Sequence, residues 1–104
     1  MQVDCFFDGD VAVIYLQDQF DLRESKGFRG AIDAIVDDAN VREIEVNLSR
    51  FEHMDSSTLA FLLILRERAR EGSKAVVLSG VAGKVQEVLK TASFEQIFVF
   101  RNRL

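Results

Sequence analysis

Four consecutive polar residues, Asp55-Ser56-Ser57-Thr58, follow His53 and Met54 and precede seven apolar ones, Leu59 through Leu65. Three chemistries are open to such a cluster. Ser56 as nucleophile, His53 as base and an aspartate to orient it would have the parts of an acyl-transfer site. At the start of a helix, Asp55 or Ser56 would instead be an N-cap, because the first backbone N–H groups lack partners and accept a side-chain oxygen or an anion. A hydroxyl there is also a phosphoacceptor: a phosphate adds about −1.5 to −2 charges and sets a strongly hydrated group where a partner needs a dry contact.

Catalysis is the weakest of the three. It requires an oxyanion hole and a cleft of roughly 300 Å³ or more, for which a single small core leaves little room. His53, the one histidine, is expected to be a loop residue near the serines, and the protein to act by binding. Leu59 to Leu65 is apolar around two full turns, unlike a surface helix with one buried stripe. Either both sides of this helix start are buried, or part of it receives a partner. On the second reading His53, Met54, Leu59, Phe61 and Leu62 form a partner-binding surface around Ser56. Asp18 and Asp21, in "LQDQFDLRES", are a further acidic group. Beside Ser56 they could bind a kinase's magnesium, orient the serine or oppose a phosphate; otherwise they cap the first helix.

These residues need a scaffold, and the chain describes one. "QVDCFF" and "VAVIYL" are β-favouring runs separated by Asp8-Gly9-Asp10, which predicts a hairpin. Phe28, Ala31, Ile32, Ile35, Val36 and Ala39 form the stripe of a helix over about 23–38. "REIEVNLS" alternates as a strand with Ile44, Val46 and Leu48 on its core face, opposite Glu43, Glu45 and Asn47. The helix opened at Asp55 closes around Ala69-Arg70-Glu71-Gly72-Ser73, with basic residues near its end and a glycine beyond. "KAVVLSG" is the next strand, Val81, Val85, Val88, Leu89 and Ala92 mark another helix, and "QIFVF" is the last strand. The order ββαβαβαβ predicts an α/β fold: a mixed sheet packed with helices, its parallel neighbours joined by right-handed crossovers.

Composition narrows the functions. At 104 residues, 48% hydrophobic and 29% charged, the chain has the size of one domain. Its net charge of −4 and lack of a basic stripe argue against nucleic acid. No apolar run approaches the roughly 20 residues of a membrane span, and Asp4, Asp8 and Asp10 do not suit a targeting segment, so a cytoplasmic location is expected. One cysteine and one histidine make neither an internal disulfide nor a structural zinc site; Cys5 is expected to be a small strand hydrophobe, and no metal or cofactor is expected.

The segment "NLSRFEHMDSSTLAFLL" resembles the signature of STAS domains, in particular the small stand-alone anti-sigma-factor antagonists, where a strand and loop lead to Asp-Ser-Ser or Asp-Ser-Thr opening a helix. The likeness spans nearly the whole chain: "DQFD" lies where that family has a Gly-Glu-Leu-Asp loop, and "SFEQIFVF" resembles its closing Ser-Gly-Leu and strand pattern. Three positions differ, with Thr58, Asp18 and Phe94 where the family commonly has glycine. The resemblance implies a single STAS domain over 1–104 with Ser56 as the phosphorylated residue, supported by Asp55, Ser57, Thr58, Asp18 and Asp21. It implies as partners a serine kinase that is also the anti-sigma factor, and a PP2C-type phosphatase. The unphosphorylated form would bind the anti-sigma kinase or another output protein, and phosphorylation would end the contact. Other STAS domains are constitutive subunits of transport machines, such as the small cytosolic partner of a lipid-transport ATPase. This is the alternative the resemblance leaves open.

Overall fold

The computed structural model describes residues 4–17, 26–51 and 53–101. The strands are β1 (Asp4–Asp8), β2 (Val11–Gln17), β3 (Glu43–Arg50), β4 (Ala75–Ser79) and β5 (Val99–Arg101). The helices are α1 (Lys26–Asp37), α2 (Ser56–Glu71) and α3 (Gly83–Thr91), in the predicted order ββαβαβαβ. A short 3-10 turn, Phe94–Gln96, precedes β5.

The sheet runs β1-β2-β3-β4-β5, so strand order in space follows order in the chain. β1 and β2 form the expected antiparallel hairpin, closed by Gly9-Asp10, and all later pairs are parallel. Three successive right-handed crossovers in one direction put all three helices on the same face. Arg68 of α2 pairs with Asp33 of α1 across that layer. Between layer and sheet lies one core: Ile32, Ile35 and Val36 of α1, Leu62 and Leu65 of α2, and Val85 and Leu89 of α3 pack over the sheet face that carries Ile14, Val46 and Leu78. Ala31 and Ala39, read as part of the α1 stripe, are exposed. Cys5, expected as a strand hydrophobe, is exposed on the edge strand β1.

Helix ends and loops are fastened by particular contacts. The Lys74 Nζ is buried and donates to the carbonyl oxygens of Asp38 at 2.7 Å and Val41 at 2.6 Å, fastening the loop that follows α1. Gly72 follows α2 as expected, but the left-handed residue is Ser73, at φ 59°, while Gly72 has φ −90°. A Cβ on Gly72 would come within 2.9 Å of the Val36 carbonyl oxygen, so glycine is required there by the approach of α1 and not by its dihedral. The last strand is shorter and later than its periodicity suggests. Phe94 is buried and stacks on Phe98 at 5.2 Å between centroids, and the Phe98 N–H donates to the Phe94 carbonyl, so residues 94–98 form a turn that anchors the strand from within.

The face of the sheet away from the helices is polar in part and still buried. Glu45 is 0% exposed there. Its Oε2 accepts a bond from Ser79 Oγ at 2.8 Å and its Oε1 one from Arg101 Nη1 at 3.0 Å, while Arg101 also grips Glu43 through both guanidinium nitrogens. Hydrogen bonds to Glu43 and Glu45 hold the Arg101 guanidinium above its ordinary pKa.

Candidate functional site

The serine cluster sits at the carboxyl end of β3, where the chain turns up into the helix layer. Phe51 and Met54 are buried and pin the connecting loop to the core. Asp55 is extended, at φ −107° and ψ 176°, and its Oδ1 accepts from the Thr58 backbone N–H at 2.9 Å and from Thr58 Oγ1 at 3.1 Å. Asp55 is therefore the N-cap, as one reading of the sequence had it.

That cap sorts the three hydroxyls. Thr58 is 1% exposed, with its hydroxyl turned to Asp55, so it is a fastening of the helix start and is closed to an enzyme. Ser56 and Ser57, the first two helical residues, are exposed. They stand at the positive end of a 16-residue helix that has no acidic side chain in its first turn. An anion at Ser56 would meet a favourable field, and could be added without unwinding the helix.

The apolar run divides. Met54, Phe61 and Leu62, expected on a partner surface, are core residues at 9%, 5% and 0% exposure, because the loop and this side of α2 face the sheet. They cannot contact a partner. Ala60, Leu63 and Ile64 are the exposed members, the last two at 41% and 50%, and Leu59 is half-buried. Leu59 forms one wall of a groove of about 400 Å³ whose other side is α3, with Glu87, Val88, Thr91 and Ala92. The spacing puts Val88 and Ala92 on the apolar stripe of α3; Val88 is half-buried and Ala92 exposed, and both line this groove. His53 is exposed in the loop before the cap. Asp18 and Asp21 lie outside the described residues.

A second contact joins this region to the next loop. Asn47 Oδ1, at the end of β3, accepts from the Ser49 N–H at 2.9 Å. Gly80, between β4 and α3, has φ +66°, and a Cβ there would fall 2.6 Å from Asn47 Oδ1 and 2.8 Å from Ser49. The end of the strand that leads toward Ser56 and the loop that leads to the groove wall are thus packed against each other.

Comparison with known proteins agrees with this arrangement. A family profile described as "Mlab, STAS domain" matches residues 5–100. A STAS-domain-containing protein of Pseudomonas aeruginosa (strain UCBPP-PA14) is 31% identical over 91 residues, 88% of each chain. Among solved structures, an anti-sigma-factor antagonist domain protein of Planctomyces limnophilus superposes with a TM-score of 0.80 at 18% identity, covering 98% of this chain and 91% of that one. The anti-sigma factor antagonist SpoIIAA in its unphosphorylated form does so with a TM-score of 0.77 at 17% identity, covering 99% and 89%. With a capped serine cluster at the β3–α2 junction, a five-stranded mixed sheet backed by three helices, and a profile match over nearly its whole length, the chain belongs to the STAS domain family.

Proposed function

We propose that this protein is a binding module switched by phosphorylation, with Ser56 as the modified residue and no catalytic activity of its own. The observation that carries this reading is an exposed hydroxyl at the open end of a capped helix, beside an apolar groove between α2 and α3. The unphosphorylated form docks an anti-sigma kinase or another output protein on Leu59, Leu63, Val88 and Ala92. Phosphate on Ser56 then places about two hydrated negative charges at the rim of that contact and ends it. A PP2C-type phosphatase restores the binding form. Likeness to SpoIIAA, solved in both unphosphorylated and phosphorylated forms, supports the cycle.

The test is affinity capture from the native cell. Ser56→Ala should hold its partner permanently, Ser56→Asp should lose it about tenfold or more, and Leu63→Lys should lose it without loss of fold. Equal capture by the two Ser56 variants would sink the switch. A second reading, a constitutive subunit of a transport complex, is the alternative that membership of the STAS domain family leaves open. It predicts that Ser56 is unmodified in the cell and that Ser56→Asp retains the same partner as the unaltered chain.

A further inference from the structure

Of the seven large apolar side chains exposed among the described residues, Phe6, Phe7, Ile97, Val99 and Phe100 stand on or beside the two edges of the sheet. Among the described residues β1 and β5 each pair with one neighbour, so each edge offers a row of backbone donors and acceptors. The edges differ in charge. β1 leads into the exposed turn Asp8-Gly9-Asp10. Beside β5 is a groove of about 210 Å³ whose lining includes Arg66, Arg70, Ala75, Ile97 and Val99. Both features lie at one end of the sheet, because Val11, which follows the turn, aligns with Glu43 and through it with Ala75.

We propose that the occupant of each edge is a second copy of this chain, with β1 of one copy adding antiparallel to β5 of the next. β1 runs against β2 to β5, so an antiparallel junction keeps all the parallel strands in one direction and all the helices on one face. Faces must match for strands to extend one sheet. Phe6 aligns with Val13, and Val13 through Glu45 and Val77 with Val99, so these residues share a face. A register setting Phe6 of one copy opposite Val99 of the next also sets Cys5 opposite Phe100. It brings Asp8 past the start of β5, on the side of the preceding turn that carries Ile97, whose carbonyl oxygen accepts from Arg66 Nε at 3.1 Å. The acidic turn therefore arrives at the arginine-lined groove. The junction is heterologous and does not close on itself, and its small area makes it weak and concentration-dependent.

Sedimentation equilibrium of the purified chain from about 1 μM to about 1 mM tests this, and the weight-average mass should rise beyond that of a dimer. Phe7→Lys and Val99→Lys each alter an exposed side chain and each block one edge. With circular dichroism unchanged, each variant alone should stay monomeric. An equimolar mixture should form a 1:1 dimer and nothing larger, since one unaltered junction remains. A wild-type chain that stays monomeric across the range overturns the proposal and leaves the edges to a different protein. Association of either variant alone to the wild-type extent overturns it as well.

Discussion

Thr58 shows how one side chain decides which of its neighbours is available. Its burial and its bond to Asp55 turn the first helical turn so that Ser56 and Ser57 face outward. The motif was legible in the sequence, and so was the cap, because both follow from local hydrogen bonding. Which hydroxyl is free was not, since it depends on Thr58 meeting the core. Thr58→Val keeps the volume and loses the side-chain bond, so it should cost about 1 kcal/mol in chemical denaturation. Thr58→Ala also opens a small void and should cost about 2 kcal/mol. Phosphopeptide mapping of the unaltered chain should find phosphate on Ser56 and none on Thr58.

At the scale of elements, periodicity located every strand and helix among the described residues, and it failed where two elements meet. Phe61 and Leu62 were indistinguishable from Leu63 and Ile64 in an unbroken apolar run, because a run without polar punctuation has no phase. The groove was likewise invisible, since it forms where two helices separate. Gly80 is the clearest joint between elements: its positive φ and its closeness to Asn47 and Ser49 both exclude a Cβ. Gly80→Ala should lower stability by about 1–3 kcal/mol. It should also shift the amide resonances of residues 47–49 and of the start of α3 together, which is how the coupling of the strand end to the next loop would be seen.

For the molecule as a whole, fold class followed from element order, whereas the buried polar face did not. Glu45 occupied a position read as the outer face of a strand, and its burial depends on Arg101, 56 residues away. Removing the arginine takes a charged donor from a buried carboxylate to which Ser79 also donates. Arg101→Met should therefore cost about 2–3 kcal/mol, below the ~3–5 kcal/mol of a fully enclosed pair because the arginine side chain is 38% exposed. Glu45→Gln in the same chain should return part of that loss, since an amide tolerates the site better than an unpaired charge.

The matched order of strands in chain and sheet also bears on how the molecule assembles. Each strand from β2 onward finds its next partner across a single helical crossover, so pairing can proceed by accretion, one βαβ unit upon the last. The tie from Arg101 back to Glu43 and Glu45 skips over β4 and forms only once β4 is in place. It serves as the latch that closes a fold otherwise built from nearest neighbours.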